Sequence, residues 1–168
     1  MKKWSRILIL ALLLAVALLP AACRAEDGAS EAGGAVSWRG YEMQAAWVTT
    51  DRKAIGLNDL PEDALPVLVR LTPREGVLQL GDVQDNRGDF ILVDADGDEW
   101  PAESFIYHKS ELNPTTGWPS IALEQDNVDI LFYLTGKDEA ALAGAQLKLA
   151  GAEPETLALD GVTREKPE

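Results

Sequence analysis

Three hydropathy regimes divide the chain. Ile7 to Leu19 is an unbroken apolar run, with the basic start Met1-Lys2-Lys3-Trp4-Ser5-Arg6 before it and Pro20-Ala21-Ala22-Cys23 after it. Arg24 to Ala35 (RAEDGASEAGGA) contains no large apolar side chain. From Val36 onward the pattern turns to period two, the signature of half-buried strands. Tyr41, Met43, Ala45 and Trp47 alternate with Glu42, Gln44, Ala46 and Val48. Pro66 to Thr72 is a β-branched run closed by Pro73, and Val77 to Leu80 predicts a short strand. Phe90-Ile91-Leu92-Val93 predicts another, and Glu99 to Tyr107 resumes extended character. Val128 to Leu134 reads most clearly, with Val128, Ile130, Phe132 and Leu134 on one face. Gln146 to Ala150 and Leu157 to Val162 supply the last two strands.

Strands at this spacing, separated by Gly, Pro, Asn and Asp, predict an all-β fold, a sandwich or barrel. Leu92, Val69, Leu71, Ile130, Phe132, Leu134, Leu147 and Trp47 are the expected core. Helix is scarce. Lys137 to Ala143 predicts about two turns that Gly144 can end, and Asn58 to Ala64 one turn capped by Asn58 or Asp59.

The first regime has the basic, apolar and small-residue order of a bacterial export signal. Its apolar run is shorter than the ~18 residues of a bilayer span, and Pro20 ends its helix. Leu19-Pro20-Ala21-Ala22-Cys23 resembles a lipobox, the signal of bacterial lipoproteins, with Pro20 where that family usually has Leu. The resemblance implies cleavage before Cys23 and a lipid on Cys23. Cleavage by an ordinary signal peptidase after Ala25 or Ala22 is the alternative, and a cut after Ala25 releases a mature chain without a thiol. The second regime reads as a flexible tether with a reach of about 20 Å. The expected organisation is a signal peptide over 1–22, Cys23 and tether over 23–35, a β domain over 36–162 and a frayed tail over 163–168.

Charge then removes several functions. The net charge is −13, and losing residues 1–22 takes away Lys2, Lys3 and Arg6 but no acid. So acidic a surface repels nucleic acid and anionic lipid. Cys23 is the single cysteine and His108 the single histidine, which excludes disulfide staples and thiolate or His-rich metal sites in the β domain. No nucleophile elbow, phosphate loop or dinucleotide fingerprint is present, so an enzyme is not expected and no cofactor is implied.

Two features remain as candidate chemistry. Asp94-Ala95-Asp96-Gly97-Asp98 clusters the carboxylates that a hard cation takes, which makes Asp94, Asp96 and Asp98 weak metal candidates. An EF-hand needs Gly at the sixth place and Glu at the twelfth, both absent here. A hairpin turn is the favoured reading, since Asp-Gly supplies the positive φ that a tight turn requires. Trp118, in Pro114-Thr115-Thr116-Gly117-Trp118-Pro119, is a loop aromatic. Folding back over the end of the sandwich is the commoner fate of such a residue; exposed, it can stack on a sugar or anchor a partner.

Phe90 to Trp100 is similar to the central hairpin of an immunoglobulin-like domain found in many bacterial lipoproteins and secreted proteins, which tends to read apolar-x-L-x-D-x-D-G-x-x-aromatic there. Asp129 to Leu134 and Gly136 to Glu139 resemble its later strand and acidic turn, and the likeness runs from about Tyr41 to Leu149. The chain departs from it at Thr72-Pro73-Arg74-Glu75-Gly76, where the family usually has an asparagine-marked turn. The resemblance implies an antiparallel immunoglobulin-like β-sandwich and a surface interaction role, and it carries no catalytic residues. The expected function is a non-catalytic envelope lipoprotein, with the membrane met through its lipid and an envelope protein or wall polymer as partner. A secreted carbohydrate- or calcium-binding module is the alternative.

Overall fold

The computed structural model describes residues 29–30, 34–153, 155–160 and 162. The expected signal peptide, Cys23, the greater part of the expected tether and residues 163–168 lie outside the described residues. In chain order the strands are β1 (Ala29–Ser30), β2 (Val36–Trp38), β3 (Tyr41–Thr49), β4 (Ala64–Pro73), β5 (Leu78–Gln79), β6 (Phe90–Val93) and β7 (Glu99–Pro101). Then come β8 (Ser104–Tyr107), β9 (Ser110–Leu112), β10 (Pro119–Ile121), β11 (Glu124–Gln125), β12 (Val128–Thr135), β13 (Gln146–Leu149) and β14 (Thr156–Ala158). Two short helices, α1 (Arg52–Ile55) and α2 (Leu80–Asp85), follow β3 and β5. None of the described helices is long and apolar enough to cross a membrane.

One five-stranded sheet has the order β2-β3-β4-β12-β8 and the other β1-β14-β13-β6-β7. All pairings within them are antiparallel except β1 with β14, where Ala29 and Ser30 run alongside Thr156 and Leu157. Val128, Ile130, Phe132 and Leu134 leave one face of β12 and meet Leu92, Leu147, Leu149 and Leu157 of the facing sheet in a single core. The architecture is therefore all-β, and two antiparallel sheets around one core fit a β-sandwich. All eight predicted core residues are buried.

Trp47 is buried on the opposite side from its expected neighbours. A bulge between Ala45 and Trp47 shifts the register of β3 against β4. An extra residue reverses the alternation, so Met43 and Val48 face the main core while Trp47 joins Ile55, Leu68 and Leu131 on the outer face. Helix α1 covers that second cluster. Asp51 caps it by accepting from Lys53 N, and Gly56 ends it at φ 72°. The Arg52 guanidinium ties the following loop down through the carbonyls of Leu60, Pro61 and Ala64.

The helical turn thus falls before Asn58 rather than at Asn58–Ala64, where Ala64 already starts β4. The predicted turns after Lys137 shrink to a 3-10 segment, Glu139–Leu142, capped by Asp138. Leu80 opens α2 instead of closing a strand. The extended stretch from Glu99 to Tyr107 is split between the two sheets, with Ala102 and Glu103 turning the corner. On the opposite side Ser37 and Glu153 exchange two backbone hydrogen bonds (2.9 and 2.8 Å), stitching β2 to the segment ahead of β14.

Candidate functional site

The strands define two ends. At one, β6 passes into Asp94–Asp98 and β12 into Gly136-Lys137. At the other, β8 runs out toward β9, and the Arg39-Gly40 turn joins β2 to β3.

The first end holds the carboxylate cluster. Val93 pairs with Glu99 and Leu92 with Trp100, so Asp94–Asp98 is a hairpin loop, with Gly97 at φ 86°. Asp94 is buried and builds the loop. Its Oδ1 accepts from the backbone N–H of Asp96 (2.9 Å) and Asp98 (3.0 Å), and its Oδ2 accepts from Trp100 Nε1 (3.1 Å). Lys137 completes the arrangement. Its Nζ lies 3.0 Å from Asp94 Oδ2, 2.7 Å from Asp96 Oδ2 and 2.8 Å from Asp98 Oδ2. An ammonium has three protons to give, and three carboxylates take them. The metal-like triad therefore surrounds a cation that the chain itself supplies, and a divalent ion has to displace it.

The protonation of this end follows from the same contacts. Burial pushes the Asp94 carboxyl up. Hydrogen bonds from Lys137, Trp100 and the backbone of Asp98 and Asp96 outweigh it and bring it from 3.8 to about 2. Asp96, Asp98 and Asp94 hold the Lys137 ammonium far above its ordinary value, against the opposing effect of burial. The folded state thus binds the Asp94 proton less readily than the unfolded chain. That stabilisation is complete above about pH 4 and is lost as pH falls toward about 2. Melting temperature should drop over this window more steeply in the parent than in Asp94→Asn. Parallel acid limbs would refute the role given to Asp94.

A second polar group crosses the outer face of the β3-β4-β12 sheet. Cross-strand pairing sets Trp47 beside Arg70 and Arg70 beside Asp129. Arg70 holds Asp129 with both prongs of its guanidinium, Nε to Oδ1 at 2.6 Å and Nη2 to Oδ2 at 2.9 Å. Its Cζ sits 4.8 Å from the centre of the Trp47 ring. His108 Nε2 lies 2.7 Å from Asp129 Oδ2. Asp129 and Arg70 are the single charged residues of β12 and β4. His108 Nε2 donates to Asp129, so His108 closes a row that runs from Trp47 through Arg70 and Asp129.

The other end carries a projection. Strands β9 and β10 pair only with each other, as a finger whose residues are all exposed. Pro119 faces Leu112 and Ile121 faces Ser110. Cross-strand partners share a face, so Leu112, Pro119 and Ile121 make one apolar side, while Glu111 and Ser120 occupy the other. Trp118 does not fold back over the sandwich. It is 74 % exposed at the tip, in the same finger as Leu112 at 71 % and Ile121 at 52 %, with Leu123 at 73 % at the base. The tip is internally tied. Asn113 Oδ1 accepts from the N–H of Thr115 and Thr116, Asn113 O accepts from Gly117 N, and Trp118 O accepts from Asn113 N. Buried Gln125 clamps the base. Its Oε1 accepts from the N–H of His108 and Lys109, and its Nε2 donates to the carbonyls of Lys109 and Ala122.

Sequence reading singled out Trp118 but missed the finger around it. The usable signal was Leu112, Ile121 and Leu123 flanking a turn-rich loop with no apolar partners nearby in sequence. The structure leaves Asp94, Asp96 and Asp98 together and sets Trp118 at the far end from them. Comparison of the chain with protein-family models, curated proteins and solved structures finds no match.

Proposed function

We propose that the protein is a non-catalytic interaction module of the bacterial cell envelope, an immunoglobulin-like β-sandwich held at a membrane by lipid on Cys23. The observation that carries the interaction role is the β9–β10 finger. Grouped apolar side chains on an internally hydrogen-bonded projection mark a contact surface, whereas singly scattered ones do not. The antiparallel sheets around one core and the Asp94 hairpin support the immunoglobulin-like reading. The lack of a nucleophile elbow, phosphate loop or dinucleotide fingerprint in the sequence supports a non-catalytic role. The basic, apolar and small-residue order up to Cys23 supports the anchor.

Carbohydrate binding is the second reading, favoured by the open ring of Trp118, on which a sugar can stack. Calcium binding has weaker support, because Lys137 already neutralises part of the Asp94–Asp98 cluster. Cell fractionation tests the anchor. Cys23→Ser should move the protein from the membrane fraction to the soluble extracytoplasmic fraction, and unchanged membrane association would argue for another mode of attachment. Soluble wall glycans that alter Trp118 emission in the parent, with no effect on Trp118→Ala, would carry the carbohydrate reading instead.

A further inference from the structure

We propose that the β9–β10 finger is a bilayer-contact element, with Leu112, Trp118 and Ile121 seated in the interfacial layer of a zwitterionic membrane. The proposal rests on the anchoring reading for which membrane is met and for which end of the sandwich faces it. Four observations select a lipid surface as the occupant.

The first is chain direction. Ala29 pairs with Thr156, Thr156 with Lys148 and Lys148 with Ile91, one residue along from Phe90. Strand β1 is parallel to β14, so its first residue, Ala29, lies on the Phe90 side of Ser30. Phe90 packs on Trp38 and Phe105, at ring separations of 5.0 and 5.5 Å. Beyond Phe105, β8 leads into the finger. The N-terminal end of β1 and the finger therefore lie toward one end of the sandwich. The chain that precedes Ala29 includes Cys23 and the apolar run Ile7–Leu19. Cys23 is only six residues before Ala29, so a lipid there tethers the finger end of the sandwich to the membrane by a shorter path than the Asp94 end.

The second is chemistry at the tip. A tryptophan at the end of an apolar projection matches the interfacial preference of that side chain, with its ring among acyl chains and headgroups and its N–H wet. The third is polar satisfaction. Backbone groups that enter a low-dielectric layer need partners. The N–H groups of Asn113, Thr115, Thr116 and Gly117 already have them within the tip. The fourth is charge. A net charge of −13 disfavours anionic lipid and close approach of a second copy, and leaves a neutral headgroup surface as the compatible one.

The test uses the mature protein purified from membranes and reconstituted into phosphatidylcholine vesicles whose acyl chains carry bromine, a contact quencher of tryptophan. Its mass reports the lipid on Cys23 independently, so failure of the anchor is read apart from failure of the finger. Trp38 and Trp47 are buried and Trp100 is half-buried, so the difference between the parent and Trp118→Phe isolates Trp118. The expected result is blue-shifted Trp118 emission in unbrominated vesicles and loss of most of it in brominated ones. A Leu112→Asp/Ile121→Asp double variant keeps Trp118 and alters only exposed positions, so it should fold and lose the quenching. Trp118 emission equal in the two vesicle types overturns the proposal. So does a dimer in vesicle-free buffer that Trp118→Ala abolishes, since the finger would then be covered by a second copy.

Discussion

Asp129→Ala should destabilise the protein by about 3–5 kcal/mol, the usual cost of removing one partner of a buried ion pair. Asp129 is 2 % exposed and holds Arg70 through two charge-assisted hydrogen bonds. Its removal leaves a guanidinium pressed between Trp47 and an apolar strand, with only a sixth of its side-chain surface in water. The penalty is the stranded charge rather than the net worth of the pair. Replacing both residues by apolar ones of similar volume, as in Arg70→Met/Asp129→Leu, should recover most of the loss. Urea unfolding of the two singles and the double decides it. Additive losses, or a cost under about 1 kcal/mol for Asp129→Ala, would mean that the row across the outer face is ornamental.

Phe132→Ala should cost about 3–5 kcal/mol by a different route, loss of apolar contact plus an unfilled cavity. Phe132 is fully buried at the centre of β12, where it pairs with Val67 and faces the second sheet. Its neighbours are held on both sides by eight paired positions with β4, so the site cannot collapse cheaply. The melting temperature should fall on the order of 10 °C for a domain of this size. Tyr133, its neighbour in sequence, points to the outer face and is half-buried. Tyr133→Ala should cost less than half as much, and equal losses would contradict the assignment of faces.

Sequence patterning revealed what depends on one strand at a time. The alternation of β12 located the inner face correctly because each of its residues keeps strict period two. It failed at Trp47, since a bulge leaves no mark in hydropathy, and the residue still reads as apolar and buried. The polar row was invisible for a related reason. Arg70 and Asp129 look like isolated charges in apolar strands until the register puts them opposite each other. The Asp94 loop was legible as a hairpin because Asp-Gly has a local conformational preference. Lys137, which fills it, lies 41 residues away from Asp96 and could be placed only by the fold. Trp118 was noticed from its turn-rich surroundings. Its exposure was not legible, because the finger that carries it leaves the sandwich at a base clamped by Gln125, a polar residue whose burial no local pattern announces.

The stitched margins of the two sheets bear on solubility in crowded surroundings. Open strand edges are templates for edge-to-edge polymerisation, the first step toward amyloid. Here the chain itself turns the corner from β7 to β8, and the Ser37–Glu153 exchange occupies the backbone of β2. The outermost strands β1, β7 and β8 are two to four residues long, and β7 ends in Pro101, which has no N–H to offer a newcomer. Breaking the Ser37–Glu153 exchange frees the backbone of a three-residue strand only, a short template for a newcomer; the longer open stretch is β3 beyond Met43, where β2 no longer runs alongside.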